Sequence, residues 1–264
     1  MVKALVLAGG EGSRLKGSQD PAVRGVPKPL VRVKLNGRHD TMLGHTLKSL
    51  RKIGLPDVWL LIADDEGSRS EALDIGLQGE LSARSAGVAL RVSREGTRRG
   101  TAGAVALALS RSCAETVVIV PVDTVFPYAR LQHCITTHRD DHNGITWLVT
   151  SKWHERDQNA GRVLLDASRR RVIAALEGKP VHLDMSGQGL VAATSGGVML
   201  GQREFLADHL ATFADEERPS GPADLYRDFV PWLLMRGMAV HALDLMERVV
   251  DLGTPERIAP FVAV

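Results

Sequence analysis

Short runs of apolar residues alternate with longer segments whose apolar residues recur every three or four positions in the first half of the chain. Four of the runs predict buried strands, and two of the segments predict helices. The strands are predicted at 4–7, 58–62, 88–92 and 117–120, and the helices at 41–53 and 102–109. Such alternation is typical of a parallel sheet with helices on both of its faces. We therefore predict an α/β fold with a mostly parallel sheet.

The pattern changes after residue 145. Three runs there predict strands separated by short turns, and two longer segments predict helices. The strands are predicted at 146–150, 161–166 and 172–176, and the helices at 205–213 and 224–235. The basic triplet at 169–171 falls in a turn between two of these strands. The second half is therefore predicted to extend the sheet with strands of mixed direction.

Composition limits the domain count and the class of partner. A chain of 264 residues with 44% hydrophobic residues can bury the core of one large domain. The formal net charge is only +2, so no strong positive field favours a nucleic-acid partner. Cys113 and Cys134 lack the spacing of metal ligands, which favours reduced thiols in a cytoplasmic protein. No apolar run approaches the roughly 20 residues of a membrane span, so we expect a soluble protein without a membrane partner.

A glycine-rich turn follows the first predicted strand. Residues 4–15 read ALVLAGGEGSRL, and residues 26–30 read VPKPL. Glycines let backbone N–H groups close around an anion, and Arg14 and Lys28 would neutralise its charge. The spacing is neither that of a P-loop nor the GxGxxG of a dinucleotide fold. The turn therefore predicts a phosphate site, with an ordinary strand–turn–helix connection as the alternative.

Residues 93–104, SREGTRRGTAGA, form a second informative segment. Gly100 and Thr101 precede a predicted helix, and their small size would let a flat ligand lie against the turn. The Glu95 carboxylate accepts hydrogen bonds and donates none, which suits the N1–H and N2–H donors of guanine. The alternative is a surface carboxylate that pairs with Arg94 or Arg98.

Two aspartates follow apolar runs in distant parts of the chain. Asp123 ends the segment VVIVPVD, at the carboxyl end of a predicted buried strand where open α/β sheets bind ligands. Asp251 begins the segment DLGTPE near the C-terminus, in which Thr254 and Pro255 form a good helix start. Carboxylates of this kind suit Mg²⁺. A turn or helix-capping role for Asp123 is the alternative.

In order along the chain, these motifs resemble those of the sugar-1-phosphate nucleotidylyltransferases, also called nucleotide-sugar pyrophosphorylases, and most of all guanylyltransferase-like members. The family shows a Gly-Gly-x-Gly-[Ser/Thr]-Arg loop, a Pro-Lys-Pro element, a Gly-Thr-Ala turn and an Asp-[Ile/Leu]-Gly-Thr-Pro-Glu element. The resemblance implies a single Rossmann-like domain over 1–264, with a nucleotide-binding half at 1–145 and an acceptor-binding half at 146–264. The C-terminal β-helix that some members carry is not expected, because the chain has no hexapeptide repeat.

The resemblance also implies an activity and the residues that perform it. A nucleoside monophosphate would pass from a triphosphate, GTP by the identity of Glu95, to a sugar-1-phosphate or a sugar-like cyclitol 1-phosphate, with release of pyrophosphate. The implied catalytic residues are Arg14, Lys28 and Asp123, and the implied Mg²⁺ ligands are Asp123 and Asp251. The implied nucleotide-binding residues are Leu7, Ala8, Gly9, Gly10, Gly12, Ser13, Glu95, Gly100 and Thr101. The connection at 15–27 is a few residues longer than the family's usual spacing and is predicted to form a flap.

The acceptor side departs from the family pattern. By resemblance, the acceptor-binding residues are Gly161, Glu177, Lys179 and Ser195. A glycine stands between Glu177 and Lys179, the aromatic residue expected beside Gly161 is missing, and Ser195 stands where relatives have asparagine. Specificity depends on polar groups that meet hydroxyls, so these departures favour an uncommon 1-phosphate, such as a heptose, amino sugar, deoxy sugar or cyclitol phosphate.

Two other interpretations remain open beside this one. One is a guanylyltransferase that acts on a non-sugar phosphate, as the molybdopterin guanylyltransferases do, and the DLGTP element at 251–255 argues against it. The other is a non-catalytic regulatory relative that binds nucleotide only. The joint presence of Arg14, Lys28, Asp123 and Asp251 argues against that one. Each of these interpretations is compatible with a homo-oligomer.

Overall fold

The computed structural model describes residues 1–10, 12, 15, 17–152, 162–176, 189–217 and 221–262. The strands of this part are β1 (Val2–Leu7), β2 (Arg32–Leu35), β3 (Arg38–Thr41), β4 (Asp57–Ile62), β5 (Ala89–Arg94), β6 (Thr116–Pro121), β7 (Thr124–Val125), β8 (Ile145–Thr150), β9 (Arg162–Leu165), β10 (Val172–Leu176), β11 (Val191–Gln202), β12 (His241–Asp244) and β13 (Val250–Asp251). The α-helices are α1 (Met42–Lys52), α2 (Arg69–Ala86), α3 (Gly100–Leu109), α4 (Tyr128–Asp140), α5 (Arg203–Glu217), α6 (Val230–Met235) and α7 (Pro255–Ile258). The 3₁₀ turns are Lys28–Leu30 and Ala259–Phe261, and a π-helical turn is Leu225–Phe229.

One large sheet of nine strands organises the described part of the chain. Strands β6, β1, β4 and β5 lie side by side and run parallel. Strand β11 runs antiparallel to β6 and continues the sheet towards β8 and β9, with β12 beside β8 and β10 beside β9. The predicted α/β fold, with a mostly parallel centre and a mixed extension, is confirmed.

Helices cover both faces of the parallel centre because β1 is apolar at successive positions. Ala4 and Val6 pack into a core cluster that includes Leu47 of α1. Leu5 points to the opposite face and packs into a second cluster with Val105 of α3. Side chains alternate across a strand, so a strand that is apolar at successive positions, as β1 is from Ala4 to Leu7, is buried on both faces.

Helix α2 is absent from the elements that the hydrophobic pattern predicts. Its buried positions carry mainly small residues, among them Ala72, Gly76 and Gly79, while Leu73 and Leu77 are 57% and 63% exposed. Apart from the buried Ile75, the large apolar side chains of this helix lie on the solvent face, and the small ones let the helix approach the sheet. No helix in the described residues is long and apolar enough to cross a bilayer.

The helix predicted at 224–235 is divided in two. A π-helical turn precedes α6, and the Phe229 N–H donates to the Asp224 carbonyl five residues earlier. Pro231 has no N–H, so the regular hydrogen bond to residue 227 cannot form. The predicted turn at 169–171 is confirmed between β9 and β10, where the Asp166 carboxylate accepts the N–H groups of Arg170 and Arg171.

Candidate active site

The loops that follow the parallel strands meet at one edge of the sheet. The Val122 N–H donates to the Leu7 carbonyl at 3.2 Å, which joins the ends of β6 and β1. The Ala8 N–H donates to the Leu61 carbonyl at 2.9 Å, which joins the ends of β1 and β4. Carboxyl ends of parallel strands are the usual ligand-binding edge of an open α/β sheet.

Two carboxylates and one ammonium group converge at this edge. Lys28 forms an ion pair with Asp123 in the turn after β6. Strands β7 and β13 pair antiparallel, with Thr124 opposite Asp251, and this pairing carries the C-terminal segment to the same place. A Cβ atom built on Gly253 would lie 2.7 Å from Asp251 Oδ1, 3.0 Å from Asp123 Oδ2 and 3.4 Å from Lys28 Nζ. Only glycine at 253 leaves room for this arrangement.

The Asp251 carboxylate is held from two sides. Its Oδ1 accepts the Gly253 N–H at 2.7 Å, and its Oδ2 accepts Arg257 Nη1 of α7 at 2.7 Å. Burial, followed by the negative charge of Asp123, raises the pKa of Asp251, while the Gly253 N–H, Lys28 and Arg257 act in the opposite direction. The sequence analysis missed Arg257, although a basic residue six positions after Asp251, in the helix that Thr254 and Pro255 begin, is a local signal for this pairing.

The donor set at this point fits a hard divalent cation. Asp123 and Asp251 supply carboxylate oxygens on either side of Gly253, and Mg²⁺ is commonly held by one or two carboxylates together with substrate phosphates. Among the described residues, no group of three or more His, Cys, Asp or Glu side chains could hold a metal. Substrate oxygens or water would therefore have to complete the coordination of an ion placed here.

A cavity of about 440 Å³ opens at the same edge of the sheet. It contains six of the residues predicted to bind a nucleotide, from two separate segments, 7–10 and 95–101. Its lining is Leu7, Gly9, Gly10, Leu61, Glu95, Arg98, Gly100, Thr101, Ala104, Pro222, Ala223, Asp224 and Arg227. The structure therefore brings together the glycine-rich turn after β1 and the Gly-Thr-Ala turn that begins α3.

Two glycines of the cavity permit close approaches of backbone to backbone. A Cβ on Gly9 would lie 2.5 Å from the Ala63 nitrogen, so the turn after β1 can lie against the end of β4 only without a side chain there. Gly100 has φ +79°, and a Cβ there would overlap the Ala223 carbonyl oxygen. Both are turns in which an ordinary residue would displace the cavity wall.

Residues 222–227 form a wall of the cavity that the sequence analysis did not predict. Thr101 Oγ1 donates to Asp224 Oδ2 at 3.0 Å and accepts the Leu225 N–H at 2.7 Å. The Ala102 N–H donates to the Ala223 carbonyl at 3.1 Å. Asp224 before a helical segment is a recognisable capping signal. Its attachment to a turn more than 120 residues earlier is a tertiary contact and has no local signal.

Glu95 lines the cavity from the loop after β5. Its Oε2 accepts the Arg99 N–H at 2.8 Å, and burial raises its pKa. The neighbouring arginines pair with other carboxylates: Arg94 with Asp64 at 3.4 Å and Arg98 with Asp65 at 2.9 Å. Each carboxylate oxygen has two acceptor sites, so Glu95 can still accept hydrogen bonds from a ligand in the cavity.

Ser195 lies at a bulge of β11, beside the end of β6. Its hydroxyl accepts Trp147 Nε1–H at 3.1 Å and the Gly197 N–H at 3.1 Å. A Cβ on Gly197, which has φ +69°, would lie 3.2 Å from Thr124 Oγ1, one residue beyond Asp123. The Ser195 hydroxyl therefore supports the bulge through its lone pairs and keeps its hydrogen for donation.

Several of the predicted site residues lie outside the described residues: Ser13, Arg14, Gly161, Glu177 and Lys179. Most of the flap predicted at 15–27 is described; it packs Leu15 and Val23 into the core and forms turns around Asp20. Gly12 has φ +62°, and a Cβ there would lie 3.5 Å from Lys28 Cβ, so the glycine-rich loop reaches the Lys28 side chain. The predicted phosphate loop and the two carboxylates are thus neighbours.

The chain belongs to the nucleotidyl transferase family, whose sequence profile matches residues 3–258. No curated protein matches the chain. The predicted family resemblance is therefore confirmed at the level of nucleotidyl transferases with this fold.

Solved structures share the fold over nearly the whole chain. HddC from Yersinia pseudotuberculosis is 18% identical, with a TM-score of 0.71 over 98% of this chain and 97% of that chain. The same protein complexed with GMP-PN has a TM-score of 0.68 at 17% identity, over 98% and 97% of the two chains. The inositol-1-phosphate CTP transferase from T. maritima is 21% identical, with a TM-score of 0.72 over 97% of this chain and 90% of that chain.

The attachment of Gly100 to Ala223 predicts a difference between two glycine substitutions in one loop. Gly96 and Gly100 both have positive φ, but a Cβ on Gly96 would meet no heavy atom of the described residues within 4 Å. Both alanine variants would bear the backbone strain of about 1–3 kcal/mol. Gly100→Ala would in addition displace residues 222–225, so we expect it to lower the free energy of unfolding by at least about 1 kcal/mol more than Gly96→Ala. Urea unfolding measures both, and equal losses would contradict the contact.

Proposed function

We propose that the protein transfers guanylate from GTP to a sugar-1-phosphate or a sugar-like cyclitol 1-phosphate and releases pyrophosphate. The observation that carries the proposal is the convergence of Lys28, Asp123 and Asp251 around Gly253, beside a glycine-rich loop and the adjoining cavity. Phosphate chemistry needs positive charge and metal-binding carboxylates at one point, and these residues supply both.

The transfer needs no nucleophile from the protein. A phosphate oxygen of the acceptor forms a bond to the α-phosphorus of the triphosphate, and the bond from that phosphorus to the bridging oxygen of the β-phosphate breaks. The electron pair leaves with pyrophosphate. A phosphate monoester is already ionised near neutral pH, so orientation and charge neutralisation supply most of the catalysis.

Each charged residue has a place in this scheme. Lys28, already beside Asp123, would contact the reacting phosphates. By the family pattern, Arg14 would hold the β- and γ-phosphates and Lys179 the acceptor phosphate. Asp123 and Asp251 would hold Mg²⁺, which when bound neutralises phosphate charge and withdraws electrons from phosphorus. Arg257 would keep Asp251 in orientation through the bond at 2.7 Å.

The choice of GTP depends on this chain's own residues. One structural neighbour is a complex with GMP-PN, and another is a CTP transferase, so the shared fold serves more than one base. Glu95 lines the cavity as an acceptor, and guanine presents two adjacent donors, N1–H and N2–H. Uracil and thymine present acceptors on both sides of one donor, so they would form fewer hydrogen bonds with the Glu95 carboxylate and would place acceptor oxygens against it.

A pyrophosphate-release assay tests the proposal as a whole. The full chain is incubated with Mg²⁺, each of five triphosphates and a panel of sugar and cyclitol 1-phosphates. Release that requires both substrates, with the nucleotide-linked product found by mass spectrometry, is the expected result. Nucleotide binding without release for any pair would favour a non-catalytic relative.

The proposed metal ligands Asp123 and Asp251 predict that kcat depends on both carboxylates and on Mg²⁺. Asp123→Asn and Asp251→Asn should each lower kcat by about a hundredfold or more in the presence of Mg²⁺, because charge stabilisation of the transition state is lost. Asp74→Asn, on the exposed face of α2, is the matched control and should leave kcat unchanged. Thermal unfolding verifies that the variants fold. A variant at 123 or 251 with the normal rate and metal dependence would refute the metal assignment.

A base-competition experiment tests Glu95. We expect GTP to be preferred over UTP, dTTP, CTP and ATP. Glu95→Gln should lower kcat/KM for GTP by roughly fivefold to a hundredfold, because an amide places a donor against a guanine donor. Glu80→Gln on α2 is the control. Equal or better use of dTTP or UTP by the wild type would overturn the guanine assignment.

A prediction about the acceptor follows from the positions at which the sequence departs from the family pattern. These positions are Ser195, Glu177–Lys179 and the neighbourhood of Gly161. We expect glucose-1-phosphate and mannose-1-phosphate to be poor acceptors, with a heptose, amino sugar, deoxy sugar or cyclitol phosphate preferred. Steady-state kinetics with each acceptor is the measurement. A kcat/KM of about 10⁴ M⁻¹s⁻¹ or more for either common sugar phosphate would exclude this proposal.

A further inference from the structure

Arg98 shares the cavity lining with Glu95, three residues earlier in the same loop. The two side chains have opposite hydrogen-bonding character, since a guanidinium only donates and a carboxylate only accepts. A base that enters the cavity therefore meets donors from one side chain and acceptors from the other. The sequence analysis treated Arg98 only as a pairing partner for Glu95.

Asp65 fixes the position of Arg98. Arg98 Nε donates to Asp65 Oδ2 at 2.9 Å, and the two side chains are 22% and 28% exposed. Asp65 is itself held, because Ser68 Oγ donates to its Oδ1 at 2.7 Å. This chain of contacts joins the loop after β4 to the loop after β5, so the guanidinium is oriented by residues of both loops.

We propose that Arg98 is a specificity-determining residue that recognises a carbonyl oxygen of the base, with Asp65 as its positioning residue. The inference deepens the proposed guanylyl transfer and rests on it. Arg98 would donate to O6 of guanine, and Glu95 would accept from N1–H and N2–H on the same edge. The two residues together match the acceptor–donor–donor order of guanine.

The assignment makes adenine the informative competitor. Adenine carries an amino group at position 6 where guanine carries O6, so it presents a donor to the guanidinium. Hypoxanthine keeps O6 and N1–H and lacks only the 2-amino group. Arg98 should therefore favour GTP and ITP alike over ATP, whereas recognition of the 2-amino group of guanine is assigned to Glu95.

A neighbouring ion pair provides a matched control. Arg94 at the end of β5 pairs with Asp64 in the loop after β4, with Nη1 at 3.4 Å from Oδ2, and it does not line the cavity. The two pairs connect the same two loops. They differ in that Arg98 lines the cavity and Arg94 does not.

The test compares Arg98→Met, Arg98→Lys, Asp65→Asn and the control Arg94→Met with the wild type. For each protein, kcat/KM and the Kd from calorimetry are measured with GTP, ITP and ATP. Arg98→Met should lower kcat/KM for GTP and ITP by roughly 10- to 100-fold and change that for ATP by less than about threefold. Arg98→Lys and Asp65→Asn should lower the GTP-to-ATP ratio by smaller factors, with kcat retained. Arg94→Met should keep the wild-type ratio.

Three results would overturn the inference. A wild-type GTP-to-ATP ratio near one excludes base recognition of this kind. If the GTP-to-ATP ratio is unchanged in folded Arg98→Met and Arg98→Lys, Arg98 does not recognise the base. If kcat/KM falls equally for GTP and ATP, Arg98 contacts the phosphates or supports the fold instead. Failure of the proposed function gives a different result, in which GTP is bound but not transferred to any acceptor. In that case the ratio of the Kd values for ATP and GTP still tests the role of Arg98.

Discussion

The antiparallel pairing of β7 with β13 is the interaction on which the candidate site depends. It is only two residues long, yet it brings Asp251 beside Asp123. The Leu252 N–H strengthens it by donating to the Asp123 carbonyl at 2.8 Å. Without it the carboxylate at the end of β6 would face Lys28 alone. Two like charges held together repel each other, and a cation bound between them would relieve that repulsion.

The cavity likewise uses distant parts of the chain. The turn at Gly100 and Thr101 is bound to residues 223–225 through backbone and side-chain hydrogen bonds. The first half supplies the glycine-rich loop and the loop at Glu95, and the second half supplies the opposite wall. The cavity is therefore shared by the two halves of the chain, although the motifs that predict a nucleotide site lie in the first half.

The sequence predicted the parallel centre of the sheet and the positions of the main motifs because both have local signals. Apolar runs such as β1 and glycine turns such as 9–12 can be recognised without tertiary information. Helix α2 was missed because small residues, not large ones, face its neighbours. The contacts of Asp224 with Thr101 and of Arg98 with Asp65 could not be predicted, since each joins segments that only the fold brings together. The contact of Arg257 with Asp251 is local, and the sequence analysis did not consider it. The helix predicted at 224–235 was located correctly, but its division was not predicted. A π-helical turn at Leu225–Phe229 precedes α6, which contains Pro231.

The long-range closure of the cavity has a consequence for the order of events during synthesis. Residues of the glycine-rich loop and the loop at Glu95 leave the ribosome well before residues 222–227, which complete the wall. A nascent chain can form β1, β4 and β5 early, but this cavity lacks one of its walls until the last sixth of the chain is available. If the proposed function holds, a nucleotide in this cavity would stabilise the finished protein and not its partly synthesised precursors.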